Sequence, residues 1–257
     1  MTPRPLTLLI AFCLVALAAC SPHSGTHTAR WRNSRSASHS ARPSPSARPT
    51  PTRGPATTAK RTGPKGSLRT TGSAGVALTF DDGPSPIWTP RVLRLLRQSH
   101  VKATFCLVGT EVRRHPDLVR AIVRDGHTLC NHSWDHDMRL GSHSSRYIRA
   151  NLARTNTAIR TAVPGARIDY FRQPGGLWTS REIAVVNGMK LVPLHWSVDP
   201  QDWRKPPAST IVRNLVHYTT SGAVVLMHDG GGNRRGTYYA LRKVLPTLKR
   251  RFHLISL

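Results

Sequence analysis

From Gly75 to the end of the chain, short apolar runs alternate with stretches whose apolar residues recur at helical spacing. The runs are rich in β-branched and aromatic residues, which is typical of buried strands. Pro90 suits the first position of a helix over 90–98 with Thr89 as its N-cap, and 238–250 is also amphipathic. Strands that alternate with helices favour a parallel sheet with crossover helices, which is an α/β fold. The predicted strands are 76–80, 101–108, 128–130, 168–171, 191–198, 223–227 and 252–257.

Polar residues cluster directly after five of these predicted strands. Because the carboxyl ends of parallel strands meet at one edge of the sheet, we expect the clusters to share one face. A closed barrel and an open doubly wound sheet both collect a site at that edge. The pattern therefore supports an active site more firmly than it supports a closed barrel. The clusters are 81–82, 132–136, 172–176, 199–203 and 228–229.

The first 20 residues have the form of a secretory signal. Arg4 precedes an apolar run over 6–16, and the exit 17–20 has the sequence Leu-Ala-Ala-Cys. This exit resembles the lipobox of bacterial lipoproteins, which implies that Cys20 is lipidated and becomes the first residue of the mature chain. The alternative is an ordinary signal peptide. The expected location is outside the cell, either anchored to the membrane through a lipid and facing the cell wall, or secreted.

Residues 21–73 are rich in Ser, Thr, Pro and Arg and contain no acidic residue. Such a composition predicts a disordered tether, which leaves 74–257 as the catalytic domain. The formal net charge of +26 would suit a nucleic-acid partner, but the export signal argues against one. The basic tether is either a solvated spacer or a segment that contacts anionic wall polymers or lipid head groups.

Two of the polar clusters contain residues that can bind a metal. Asp81 and Asp82 stand where a strand breaks into a turn, and a cation would relieve the repulsion of their carboxylates. His132 and His136 are four residues apart, so both can face one ion. Taken alone, the acid pair also suits a helix cap or turn, and the histidine pair also suits a solvated loop.

The five clusters together resemble the motifs of the polysaccharide deacetylases of carbohydrate esterase family four, the NodB homology group. The match runs from 76 to 257 and keeps the order of the motifs. The resemblance implies a distorted (β/α)-barrel of about seven strands and a divalent metal held by Asp82, His132 and His136. Zinc is the expected metal, with cobalt or another divalent ion as the alternative. Asp81 would be the general base that takes a proton from the attacking water.

The remaining motifs imply further roles in catalysis. Arg172 would position Asp81 or its neighbours, and the backbone N–H of Gly175 would help to stabilise the oxyanion, although many members carry Tyr at that position. His228 would be the general acid, with Asp199 raising its pKa. The last two predicted residues, Trp203 and Leu226, would wall the acetyl methyl group, and Trp203 suits a core aromatic equally well.

Cys106 and Cys130 lie in the second and third predicted strands, which a right-handed crossover usually makes neighbours. A disulfide and a pair of buried thiols are both compatible with this placement. His195 leads into the fourth motif and is a reserve candidate for the site. Asp135 and Asp137 flank His136 and are either supports of the metal site or ordinary surface acids.

These observations predict a metal-dependent hydrolase that removes acetyl groups from an N-acetylated polysaccharide. The expected partners are an acetylated polysaccharide, either peptidoglycan or a chitin-like N-acetylglucosamine chain, and the bacterial membrane through the lipid anchor. An acetyl xylan esterase with the same site is an alternative, and so is a wall-binding protein without activity. A serine hydrolase is disfavoured because no Gly-x-Ser-x-Gly elbow is present.

Overall fold

A computed structural model describes residues 62–257. The predicted signal 1–20, the lipidation site Cys20 and the tether up to residue 61 lie outside the described residues. Within 62–257, no helix combines the length and the apolar character needed to cross a membrane.

The described chain forms one seven-stranded sheet whose strands all pair in parallel. The strand order is β5-β4-β3-β2-β1-β6, and β7 pairs with β1. Each predicted apolar run coincides with one strand, so the predicted distorted α/β barrel is confirmed. The strands are β1 Val76–Asp81, β2 Thr104–Leu107, β3 Thr128–Asn131, β4 Tyr170–Phe171, β5 Val192–Pro193, β6 Val224–His228 and β7 Leu254–Ile255.

Helices cover the outside of the curled sheet and bury its apolar face. Phe80 of β1 stacks on Phe105 of β2, with ring centroids 5.2 Å apart, inside the main cluster of buried apolar side chains. The first helix begins at Thr89, but Trp88 rather than Thr89 is its N-cap, and Trp88 makes no side-chain cap bond. The helices are α1 Thr89–Gln98, α2 Gly109–Arg114, α3 Pro116–Arg124, α4 Ser145–Ala162, α5 Ser180–Gly188, α6 Ala208–Tyr218 and α7 Arg235–Arg251.

Residues 62–73, which sequence analysis assigns to the tether, pack against the sheet. Leu68 donates its N–H to the carbonyl of Pro193 and accepts from the N–H of His195, each at 2.7 Å. Thr70 forms an antiparallel bridge with Ala223. The boundary predicted at residue 73 is therefore too late for this segment. Main-chain hydrogen bonds hold it, and its polar composition carries no sign of them.

Cys106 and Cys130 stand opposite each other in the register of β2 and β3 and form a disulfide. Their Cα atoms are 4.1 Å apart, and both side chains are fully buried. The structure thus selects the disulfide over the pair of free thiols.

Candidate metal centre and active site

The carboxyl edge of the sheet brings the five polar clusters to one end of the molecule. Asp81 is the last residue of β1, and His228 is the last residue of β6 and stands beside it in the strand register. Asp82 and His136 both adopt positive φ, at 71° and 58°. Consecutive side chains on a strand point to opposite faces, so this sharp turn is what lets Asp82 join Asp81 at one site.

Asp82, His132 and His136 are the group of possible metal ligands found among the described residues. One ligand atom from each lies within 4.8 Å of the others. The Nε2 atoms of His136 and His132 approach Oδ1 of Asp82 to 3.2 and 3.5 Å. Neither approach has the direction of a hydrogen bond, so Oδ1 is buried without a hydrogen-bond partner. Three donor atoms that converge on one point fit a divalent metal of the kind that accepts histidine and carboxylate ligands.

His132 is oriented for metal binding by the backbone. Its Nδ1 donates a hydrogen bond to the carbonyl of Arg172 at 2.8 Å, which leaves the lone pair of Nε2 for the ion. The ring is buried, whereas the His136 side chain is 38% exposed at the mouth of the site. The two ligands therefore close the inner and the outer side of the centre.

The electrostatics of the centre favour a charged carboxylate. Burial by itself would raise the pKa of Asp82, but the close approach of His132 and His136 holds that pKa well below its ordinary value. Burial by itself would lower the pKa of His136, and the neighbouring Asp82 raises it instead. Both shifts show that a positive charge beside Asp82 is electrostatically favourable.

Asp81 is buried and is held on one side only. Its Oδ1 accepts a hydrogen bond from Arg172 at 2.7 Å, while its Oδ2 lies 3.7 Å from Nε2 of His132, on the side of the metal ligands. Arg172 is fully buried and also donates to Thr79. The predicted contact between Arg172 and Asp81 is present, and it leaves one carboxylate oxygen free to take a proton.

The predicted partner of the general acid is wrong. Nδ1 of His228 donates to Oδ1 of Asp202 at 2.7 Å, and the backbone N–H of His228 donates to Oδ2 of Asp202 at 2.9 Å. Asp199 instead accepts from the N–H of Gln201 and from Nε1 of Trp203. Gln201 adopts φ 60°, and this reversal turns Asp202 inward while Asp199 stays at the start of the turn.

The pKa of His228 follows from this pairing. Burial by itself would lower it, but the hydrogen bond and the charge of Asp202, with further help from Asp82 and Asp81, raise it to about 9. Thr237 donates to Oδ2 of Asp202 at 2.7 Å and fixes the carboxylate. His228 is therefore an imidazolium at neutral pH and has a proton to give.

The other predicted contacts are placed as follows. Gly175 has φ 65° in a short turn over Pro174–Gly176, directly after Arg172 and Gln173. Trp203 is 45% exposed, which excludes a place in the core, and Leu226 is buried within β6. Their roles toward the oxyanion and the acetyl group stay predictions.

The candidates with the weakest sequence signals are not among the three possible metal ligands. His195 accepts a hydrogen bond from Trp178 at 3.3 Å, and its carbonyl accepts from Arg172, so it supports the buried arginine. Asp135 is exposed and accepts a long hydrogen bond from Asn151. Asp137 pairs with His143 at 2.8 Å.

Sequence reasoning missed the buried Arg234 beside the centre, and it placed Asp229 in the cluster 228–229 without giving it a role. Arg234 is 4% exposed, donates to the carbonyl of Gly230 and lies 3.5 Å from Oδ2 of Asp82. Asp229 is fully buried, accepts a hydrogen bond from Thr89, and has its pKa raised to about 7 by burial. The place of Asp229 next to His228 was a usable signal, whereas Arg234 stands in a loop that carries none.

An open groove of about 890 Å³ leads to Asp82 and His136. Its walls are mostly apolar, which suits the faces of sugar rings, with polar groups at intervals. Besides those two ligands, its walls include Ile87, Trp88, Glu111, Asp135, Asn233 and Arg235.

The chain is similar to known proteins along most of its described length. The model of the polysaccharide deacetylase family matches residues 69–193. A chitooligosaccharide deacetylase of Bradyrhizobium sp. (strain ANU 289) is 38% identical over 191 residues, which cover 70% of this chain and 87% of that protein. A peptidoglycan-N-acetylglucosamine deacetylase of Bacillus cereus is 37% identical over 177 residues, which cover 68% of this chain and 82% of that protein.

Among solved structures, a pseudoenzyme of carbohydrate esterase family four from Bacillus anthracis superposes with a TM-score of 0.68. It is 26% identical, and the match covers 75% of this chain and 67% of that chain. The fold is therefore shared with a relative described as a pseudoenzyme, so activity has to be argued from the site itself.

Proposed function

Because the chain belongs to the polysaccharide deacetylase family, carbohydrate esterase family four, we propose that it hydrolyses acetyl groups of an N-acetylated polysaccharide in a metal-dependent reaction. The proposed substrate is peptidoglycan or a chitin-like chain of N-acetylglucosamine. One observation supports the proposal: three possible metal ligands, a carboxylate oxygen of Asp81 without a hydrogen-bond donor and His228, whose pKa is raised to about 9, meet at one edge of the sheet.

The metal is proposed to be zinc, held by Asp82, His132 and His136. Two imidazoles and one carboxylate form a donor set that zinc uses in catalytic sites. When bound, such an ion polarises the acetyl carbonyl and lowers the pKa of water. Arg234 restrains the outer oxygen of Asp82, so that Oδ1 faces the ion.

Asp81 is the proposed general base. Arg172 occupies its Oδ1 with a buried charge-assisted hydrogen bond, and this fixes the direction of the carboxylate. Oδ2, on the side of the metal ligands, then accepts the proton of the attacking water. The base is thus oriented before substrate arrives, which lowers the cost of reaching the transition state.

His228 is the proposed general acid for the leaving amine. An amine anion is a poor leaving group, so the nitrogen has to gain a proton as the carbon–nitrogen bond breaks. Asp202 holds Nδ1 of His228, and the proton on Nε2 is the one available for transfer. We assign Gly175 to the oxyanion, and Trp203 with Leu226 to the acetyl methyl group.

The amino-terminal region completes the proposal. We propose that 1–20 directs export, that Cys20 carries a lipid anchor in the bacterial membrane, and that the basic segment after it spans part of the cell wall. Two signals, a lipid and a basic stretch, are together sufficient for stable membrane attachment. Nucleic acid is not a proposed partner.

The test measures released acetate and new free amines after the purified, zinc-loaded protein meets peptidoglycan, chitooligosaccharides or acetylated xylan. The expected result is acetate release with free amines from one of the first two polymers. Release from xylan alone would identify an esterase instead, and no release from any polymer by a protein that still binds zinc would identify a wall-binding protein.

A pair of histidine variants tests the metal assignment. His132→Ala is expected to abolish zinc binding and acetate release together, because it removes the most buried ligand. His143→Ala is the matched control, since His143 pairs with Asp137 and is not among the three ligands. Full activity of His132→Ala would overturn the assignment.

A further inference from the structure

A second groove, of about 680 Å³, lies between α2, α3 and α4 and shares no lining residue with the groove that leads to Asp82 and His136. Its walls carry the arginines Arg113, Arg120 and Arg154, and Trp134 forms part of its floor. None of the residues assigned to the reaction lines it. We call it the arginine groove.

Trp134 holds two of the arginines in place. The guanidinium carbon of Arg154 lies 3.8 Å from the centre of the indole ring, and that of Arg113 lies 5.2 Å from it. The ring itself is 8% exposed and cannot move freely. Cation–π contact therefore orients two flexible side chains before any ligand binds, which reduces the entropy that binding costs.

The charge of the arginine groove is not neutralised by the protein. Among the described residues, none of its three arginines forms an ion pair, and no acidic residue lines the groove. The nearest acid to Arg113 along the chain, Glu111, is paired with Arg114. Three like charges that share a concave surface repel one another, and an anion would relieve that repulsion.

We propose that the arginine groove binds a linear polymer that carries phosphate groups and that, given the proposed export of the protein, is not a nucleic acid. Guanidinium groups present paired N–H donors that match the oxygens of a phosphate. Three arginines spaced over α2, α3 and α4 can each contact a different phosphate of one chain, and the small side chains of Ala158 and Ala162 lie between them in the lining of the groove.

The position of the arginine groove gives this binding a use. Helix α2 contributes Thr110 and Glu111 to the catalytic groove, and Val112 and Arg113 to the arginine groove. A phosphate polymer bound in the arginine groove would therefore hold the catalytic groove close to any polysaccharide that surrounds this polymer. This raises the local concentration of substrate wherever the two polymers occur together.

The experiment measures binding of a fluorescent, short linear polyphosphate to the full-length mature protein by anisotropy at several salt concentrations. Arg120→Glu is the main variant, because Arg120 lines the groove but is not one of the arginines on the Trp134 ring. Arg242→Glu is the matched control, since this exposed arginine lies on α7, outside the groove, and its replacement changes the net charge equally.

The expected result is a dissociation constant raised about 10-fold or more by Arg120→Glu and less than about 2-fold by Arg242→Glu, since charges beyond roughly 8 Å are screened at physiological salt. The slope of the logarithm of affinity against the logarithm of salt concentration should fall by about one in the first variant and stay unchanged in the control. The double variant Arg113→Gln, Arg154→Gln should also weaken polyphosphate binding, because it removes both guanidinium groups on the Trp134 ring.

Three outcomes would overturn the proposal. One is the absence of polyphosphate binding at physiological salt, and another is an equal loss of affinity in Arg120→Glu and Arg242→Glu, which would identify general attraction by net charge. The third is tighter binding of an oligogalacturonate of equal length, or of anionic vesicles, which would replace the phosphate polymer by a carboxylate polymer or a membrane.

Discussion

Asp202→Asn tests whether Asp202, rather than Asp199, is the carboxylate that raises the pKa of His228. The variant removes the largest of the charges that together raise the pKa of His228 from 6.5 to about 9. A difference of that size corresponds to roughly 3 kcal/mol of preference for the imidazolium. The single oxygen of Asn can still accept from the backbone N–H of His228 and from Thr237, so the turn is expected to fold, while its amide group faces Nδ1 of His228 in place of Oδ1.

The pH profile of kcat is the measurement for Asp202→Asn. A general acid works only while it is protonated, so activity is lost as pH rises through the pKa of His228. In the unaltered protein this loss is expected near pH 9, and in the variant near the ordinary value of 6.5, because burial lowers the pKa while Asp82 and Asp81 still raise it. At pH 8 the variant should therefore be at least about 30-fold slower, and the gap should narrow toward pH 6.

Asp199→Asn is the matched control, because Asp199 contacts Gln201 and Trp203 and makes no hydrogen bond to His228. Its alkaline limb should stay near pH 9. A shifted limb in Asp199→Asn together with an unchanged limb in Asp202→Asn would refute the assignment. The same pairing stabilises the fold fully below about pH 6.5, and this stabilisation is lost as pH rises through about 9.

Three further predictions concern the surroundings of the site. Arg234→Gln should weaken zinc binding about 10-fold in competition with a chelator, whereas Arg235→Gln should not, because only Arg234 contacts Asp82. Arg172→Met should lower the free energy of unfolding by about 3–5 kcal/mol in urea titration, since it leaves Asp81 buried without its partner; a change below about 1 kcal/mol would contradict a buried pair. Replacing Cys106 and Cys130 together by Ala should cost about 3 kcal/mol, measured against the oxidised protein, because a closed loop with a sequence separation of 24 is released.

Local sequence patterns were sufficient to predict the strands and the edge of the sheet on which the site lies. Strand β1 is a continuous apolar run because it is buried on both faces, and the acids begin where that run ends. Asp82, His132 and His136 were therefore predictable as neighbours. Parallel strands bring their carboxyl ends together whatever the details of the loops.

Other features depend on contacts that no local pattern carries. Segment 62–73 has the composition of a tether, yet Leu68 is held by backbone hydrogen bonds to Pro193 and His195. Arg234 reaches Asp82 from a loop that gives no hint of its destination. In both cases the partner is distant along the chain.

The sequence by itself determined the α/β fold, the shared edge and the residue types of the metal centre, because burial and strand ends leave a periodic trace. Only the tertiary structure decided which carboxylate serves His228. Asp199 and Asp202 stand three residues apart in the same motif, and the reversal at Gln201 turns one toward Trp203 and the other toward β6. The pairing depends on the positive φ of Gln201 and on a contact with a strand that is distant along the chain. Neither produces a periodic pattern in the sequence, so only the tertiary structure identifies Asp202 as the partner of His228.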